Sequence, residues 1–439
     1  MSANTAPPAL RIRWRIFGFL FGFGLVAYFQ QKSITIAAER IMPELHLTQL
    51  QISFLSQAFV VGYALFQIPG GFLGQKLGAR HAFTLISLVA FIAMISTALA
   101  PFAFGGERLF LMMLLAQFLL GIAQGGIFPM SAGVFESWFP PRHWALVQGL
   151  QSMGLQLGAA MTPPLIASLM KSGGWQSALL ITTAPALALI GAWAWYGRNT
   201  PREHPAVVPA ELAEIGDRSA EHAAAATAGR LLRLFADRNV ALLFISYLCM
   251  NYTFYLLSNW VFLYLVQERK FSILESGWLA TVPPLAAGLG AGLGGYLAGL
   301  ACQRLGARWG YRLIPLIVMP SAGIGLLMAV STANAYLAVF LMALCFCLVE
   351  LTEGSYWAGA MNVGKGDTMM VGGVMNTGGN LGGIIGIPIV GYLSGIGHWD
   401  IAFWIGTALA MVSAVTWLGI DTAAQVHPGK ENLVKQAPA

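Results

Sequence analysis

The sequence predicts an all-α membrane protein in which twelve transmembrane helices form two six-helix bundles. Three observations predict it. Of the 439 residues, 57% are hydrophobic and only 10% are charged, against roughly a quarter charged in soluble domains. Apolar runs of about 20 residues, the length that crosses a bilayer as helix, recur from end to end. The second half also repeats the first at an offset of 224 residues, so that Gly70-Gly71-Phe72-Leu73 returns as Gly294-Gly295-Tyr296-Leu297. Gly149, Gly154, Gln156, Leu157, Gly158 and Pro164 return as Gly373, Gly378, Asn380, Leu381, Gly382 and Pro388. A Leu-Gly-Ala-Arg follows each Gly-Gly element, at 77–80 and at 305–308.

In order, the runs fall at roughly 15–38, 51–75, 82–102, 109–137, 145–170 and 175–197, which are helices 1 to 6. Helices 7 to 12 fall at roughly 239–267, 275–300, 312–331, 335–360, 370–394 and 400–420. The expected division is an N-terminal bundle over 1–197, a linker over 198–238, a C-terminal bundle over 239–421 and a tail over 422–439. The linker is the longest polar stretch and holds too few apolar residues to bury a core of its own. Part of it is expected to lie as a helix on the inner membrane face. Glycines inside the spans, such as Gly288, Gly290, Gly292, Gly294 and Gly295, are read as close-packing positions. Pro129, Pro163, Pro164, Pro283, Pro284 and Pro388 are expected to kink or locally open their helices.

Lysine and arginine set the orientation. Eighteen of them, including Arg11, Arg13, Lys76, Arg80, Arg142, Arg304 and Lys365, fall on the side of the termini and the linker. The other side has Arg40, Arg108, Lys171, Arg269 and Lys270. The positive-inside bias therefore puts both termini in the cytoplasm of a cell (inner) membrane. The net charge of +6 reflects this topology and calls for no nucleic-acid partner. The first run is too long for a cleaved signal and is read as helix 1. Cys249, Cys302, Cys345 and Cys347 lie in or at the ends of spans and suggest neither a disulfide nor a metal site. With no phosphate-cradling loop and no ligand-spaced histidines, no cofactor, metal or enzymatic activity is expected. Two similar halves around a midplane site point to transport of a small molecule by rocking, with the lipid bilayer as surroundings.

Gly-Gly-Phe-Leu-Gly-Gln-Lys-Leu-Gly-Ala-Arg at 70–80 resembles the loop motif between helices 2 and 3 of the major facilitator superfamily. The resemblance covers nearly the whole chain and implies the major facilitator fold, with Gly71, Lys76, Gly78 and Arg80 as gating residues. The motif's usual Asp is Gln75 here. Within the superfamily, Ile34-Thr-Ile-Ala-Ala38, Gly62 to Gly71, Trp138-Phe-Pro-Pro141, Glu353-Gly-Ser-Tyr-Trp357 and Met375 to Gly383 look like the organic anion:cation symporters. That likeness implies a small organic anion, such as a sugar acid, carried with protons. The family's Asp-Arg pair of helix 1 is Gln30-Gln31 here, and its ionisable positions of helix 4 are Gln117 and Gln124.

Charges retained at membrane depth are costly and functional by default. Lys32 is therefore the candidate anion anchor and Glu353 the proton-coupling group, while Glu350 is read as facing a polar neighbour only. One position along a helix turns a side chain by about 100°, which counts against Lys32 simply replacing the missing Arg. Gln31, Tyr63, Gln124, Gln151, Tyr255, Trp357 and Asn376 complete the expected substrate site. Gln67, Gln156, Asn259 and Asn380 are read as packing. The loss of ionisable groups leaves two alternatives open: a facilitator or exchanger of a neutral polyol or sugar-like solute, and a sensor that binds a solute without moving it. A monomer is expected.

Overall fold

The computed structural model describes residues 12–216 and 233–424. The tail beyond 424 and the middle of the linker lie outside the described residues. Helix 1 is Ile12–Leu45, helix 2 Gln49–Leu77 and helix 3 Ala79–Ala103. Helix 4 comes in two segments, Gly106–Gly125 and Ile127–Trp138. Helices 5 and 6 are the two arms of Trp144–Tyr196, which breaks at Gly174 with φ 77°. Helix 7 is Arg238–Gln267. Helix 8 begins with a short Ile273–Leu279 segment, then joins helix 9 in Val282–Ser331, which breaks at Gly306 with φ 74°. Helix 10 is split into Ala335–Leu351 and Glu353–Gly364. Helix 11 is Thr368–Gly395 and helix 12 is Trp399–Gly419.

Nine described helices are long and apolar enough to cross a membrane. Two of these are the double arms broken at Gly174 and Gly306, which brings the crossings to eleven. Helix 11 is the twelfth. It is less apolar than the others because glycines and two asparagines replace aliphatic residues along it. The predicted twelve-helix architecture in two bundles is thus the one observed.

The repeated Leu-Gly-Ala-Arg explains the tight turns between helices 2 and 3 and between helices 8 and 9. Gly78 and Gly306 sit at φ 76° and 74°, where a side chain is strained. The other spans pack through glycine as expected. A Cβ on Gly62 would strike the Phe118 carbonyl, one on Gly290 the Cys347 carbonyl, and one on Gly294 the Leu351 carbonyl. Helix 4 breaks at Gly126, three residues before Pro129, whose ring leaves the Gly125 carbonyl without its donor. Helix 10 breaks at Thr352 with no proline; the Thr352 hydroxyl donates instead to the Val349 carbonyl at 2.7 Å.

Helix 1 begins, and helix 12 ends, on the linker side. There the described linker forms a helix over Pro209–Ile215, as expected of part of it. Glu211 accepts from the backbone N–H groups of Ile12 and Arg13 at 3.2 and 3.1 Å, capping helix 1. Glu214 accepts from both Arg13 (2.8 Å) and Arg142 (2.7 Å).

Candidate functional site

The two halves meet closely on the linker side. A Cβ on Gly71 would overlap the Met369 carbonyl of helix 11, and one on Gly373 the Gln67 carbonyl of helix 2. The same holds between helices 5 and 8, where Gly295 faces the Ala145 carbonyl and Gly149 the Ala291 carbonyl. Polar bonds run beside both seams. Asn376 Nδ2 donates to Gln67 Oε1 at 2.7 Å, and Gln156 Nε2 donates to Glu350 Oε1 at 3.0 Å. At the rim, the turn between helices 10 and 11 is gripped from the first half. Gln75 Nε2 donates to the Gly366 carbonyl, and the Gly366 N–H donates to Glu136 Oε1 at 3.1 Å. Gln75 thus joins the halves as a donor.

Toward the far side the halves part around a cavity of about 380 Å³. Tyr28, Gln31 and Lys32 of helix 1 line it, with Gln57 and Tyr63 of helix 2 and Gln124 of helix 4. From the second half come Tyr255 and Asn259 of helix 7 and Asn380, Ile384 and Pro388 of helix 11. A smaller chamber of about 80 Å³ continues inward, with Ser152, Gln156, Tyr247, Asn251, Glu350, Glu353, Trp357 and Asn376 in its wall. Tyr28, Tyr63, Phe128, Leu155, Tyr255 and Asn380 belong to both walls. Such a crevice between bundles, mostly apolar with a few convergent polar groups, suits one small ligand.

Among the described residues lining either chamber, Lys32 is the one cation. It reaches the cavity beside Gln31 because Tyr28, Gln31 and Lys32 stand at i, i+3 and i+4, on one helical face. The turn of about 100° between neighbours therefore does not keep Lys32 out, since both positions fall within that face. Gln30 points the other way, into the first bundle, and accepts from Gln124 Nε2 at 3.1 Å. Gln117 Nε2 donates to Thr97 Oγ1 at 3.1 Å, away from the cavity.

The inner chamber holds the acidic groups. Glu353 opens the second segment of helix 10. Tyr247 OH donates to its Oε1 at 2.8 Å. Its Oε2 makes no hydrogen bond among the described residues, although the Trp357 indole N–H lies beside it. Glu353 is only 7% exposed and Glu350 2%. Trp357 itself is stacked on Phe128, with centroids 5.6 Å apart, and so braces the wall across the two halves.

The structure thus gathers Gln31, Lys32, Tyr63, Gln124 and Tyr255 around the outer chamber, and Glu353, Trp357 and Asn376 around the inner one. Gln151 lines neither. Its Nε2 donates to Ser131 Oγ at 2.9 Å between helices 5 and 4, so its amide serves packing. Of the residues expected to gate, Gly71 lies on the seam and Gly78 makes the turn, while Lys76 is exposed. Arg80 Nε donates to the Ala194 carbonyl at 3.0 Å and its N–H to Asn199 Oδ1 at 2.9 Å, which ties helix 3 to the end of helix 6 within one half. Tyr28, Tyr247, Asn251 and Glu350 join the walls without having been singled out for them. Asn259, Gln156 and Asn380, read as packing, line the chambers while also bonding to protein. The signal for Tyr28 was its i−4 position to Lys32.

Comparison with known proteins agrees with this architecture. The probable sulfoacetate transporter SauU of Cupriavidus necator is 30% identical over 417 residues, 94% of each chain. The hexuronate transporter of Bacillus subtilis is 25% identical, covering 90% of this chain and 92% of its own. Among solved structures, the proton:xylose symporter XylE bound to 6-bromo-6-deoxy-D-glucose superposes with a TM-score of 0.76 at 13% identity, over 93% of this chain and 96% of its own. The transporter FucP in its outward conformation gives 0.71 at 15% identity, over 94% and 100%. The family model described as Major Facilitator Superfamily matches residues 20–364. With that match over most of its length and these relatives, the chain belongs to the major facilitator superfamily and is a membrane transporter, not an enzyme.

Proposed function

We propose that this transporter moves a small organic anion, coupled to protons, by alternating access, and that the fold described is its outward-open state. The observation that carries the reading is Lys32, the one cation among the described cavity-lining residues, set opposite two buried carboxylates. A carboxylate or sulfonate would seat on the Lys32 ammonium, with Gln31, Gln57 and the Tyr28 and Tyr63 hydroxyls as neutral donors. Tyr255, Asn259 and Asn380 would bind the rest of the solute from the second half. Relatives named for sulfoacetate, galactarate and D-glucarate, and hexuronate transport support the anionic class. Glu353, in the wall of the inner chamber and bonded by Tyr247, is the proton-coupling group. The excess of Lys and Arg on the linker side puts that side in the cytoplasm of the cell (inner) membrane, so the open cavity faces outward. The unit of function is a monomer, with the substrate path inside one chain.

Ligand-induced stabilisation of the purified protein tests the reading, because a ligand of the native state raises apparent stability without any assumption about coupling. Sulfoacetate, glucarate and glucuronate are compared with glucose and sorbitol. Anions alone should stabilise, and Lys32→Gln should weaken that binding by roughly ten- to a hundredfold, the loss of one charge-assisted bond. Stabilisation by the neutral solutes instead would replace this reading with that of a neutral-solute facilitator. The neutral amides that surround Lys32 would serve that solute.

A further inference from the structure

We infer that Glu350 is the residue through which a proton opens the linker side: ionised, it holds the two halves together through Gln156, and neutralised, it releases them. The inference deepens the proton-coupled reading above and rests on it. Gln156 belongs to helix 5 of the first half and Glu350 to helix 10 of the second, and their bond of 3.0 Å crosses the seam deep in the fold. Gln156 and Glu350 are 6% and 2% exposed, so the bond is largely shielded from bulk water. The linker side cannot open without parting the halves there.

The bond has a switchable strength. An amide N–H to an ionised carboxylate is roughly twice as strong as the same bond to a neutral acid. Asn376 to Gln67, the side-chain bond beside the other seam, is between neutral amides and carries no such switch. Glu353 stands three residues on, on the same side of helix 10, with both carboxyls in the wall of one small chamber. Two neighbouring carboxylates do not both ionise readily away from water. A proton that enters the inner chamber therefore meets both carboxyls in one wall, with a short path from Glu353 to Glu350. It departs into linker-side water once that side has opened.

The groups facing the pair allow this role to be read cleanly. Helix 1 presents Tyr28, helix 2 Tyr63, and helix 7 Tyr247 and Tyr255; helix 10 adds Cys347. Helix 5 presents Gln156 and Ser152, helix 11 Asn376 and Asn380, and helix 8 meets helix 10 through glycine at Gly290 and Gly294. None of these is a cation that would hold Glu350 charged.

Distance measurement across the linker side tests the inference without any substrate, so failure of the anion reading cannot mimic its failure. Spin labels on unnatural residues at His81 and Gln303, both exposed, report the separation of the halves and spare the native cysteines. In the wild type, passing from alkaline to acidic medium should raise the linker-open fraction roughly tenfold. Glu350→Gln should show the acid-like distribution at every pH. Gln156→Leu keeps the carboxylate but removes its donor, and should flatten the pH response in the same way; it decides the matter should Glu350→Gln fail to fold. A wild type indifferent to pH, or a Gln156→Leu protein that keeps the full response, overturns the inference.

Discussion

The two seams that close the linker side are copies of each other in backbone and differ in chemistry. Gly71 against the Met369 carbonyl and Gly295 against the Ala145 carbonyl are the same contact, related by the offset of 224 residues. So are Gly373 against Gln67 and Gly149 against Ala291. The polar bonds beside them are not related. Gln67 and Asn376, bonded at the first seam, have Ala291 and Ser152 as counterparts at the second. Glu350, bonded to Gln156 at the second seam, has Gly126 as its counterpart in helix 4. Closure by glycine was thus kept in both halves, because any side chain there would hold the helices apart. The bonded side-chain pairs diverged, leaving a neutral pair beside one seam and a titratable pair beside the other. A twofold scaffold with a one-sided switch is what a coupled transporter needs, since symmetric closure alone has no means to read a proton.

The largest effect should come from breaking the shared part. Gly71→Val and Gly295→Val each force a side chain into a carbonyl oxygen. Overpacking costs about 1–3 kcal/mol, so the linker-open fraction should rise by roughly ten- to a hundredfold. Both variants should do so alike in the spin-label distances, with transport falling in step. A strong effect from one seam only would mean that the two are not mechanically equivalent.

A smaller effect should sharpen the unshared part. Asn376→Leu removes the neutral bond at the first seam and leaves the buried Gln67 amide without it. An unpaired buried amide costs about 1–3 kcal/mol, partly recovered by water when the seam opens. The closed state should lose population at every pH by a constant factor, and the proton response should survive. If Asn376→Leu abolished the pH dependence, the titratable seam would not be the one beside Gln156.

Much of this was legible in the sequence because it rests on periodicity and on backbone demands. Apolar run length and the repeat give twelve helices, and Gly78 and Gly306 announce their turns because only glycine is comfortable at positive φ. Lys32 and Glu353 stood out because a charge in a span is costly enough to signal a role. What stayed hidden depended on which partner a neutral group chooses. Gln151 and Gln156 are five residues apart on one helix, yet one bonds Ser131 within its bundle and the other Glu350 across the seam. Composition does not distinguish two glutamines; the tertiary neighbours do. Glu350 was passed over for the same reason, since its bonding partner is a donor 194 residues away.

The smallest effect should come at the rim, where the comparison between the halves recurs. Arg142, in the turn before helix 5, and Gly366, in the turn before helix 11, are counterparts under the repeat. Gly366 is held by Gln75 and Glu136 of the other half. Arg142 pairs with Glu214 of the linker instead, and its side chain is 50% exposed. An exposed ion pair contributes about 0–1 kcal/mol and weakens with salt. Glu214 also keeps Arg13, whose side chain is fully buried, when Arg142 is removed. Arg142→Gln should therefore lower the melting temperature by no more than about 2–4 °C, with the difference shrinking as salt is added. A larger, salt-insensitive loss would mean that the linker helix braces the second seam as firmly as Gln75 and Glu136 brace the first, so that the rims would be alike in strength though not in residues.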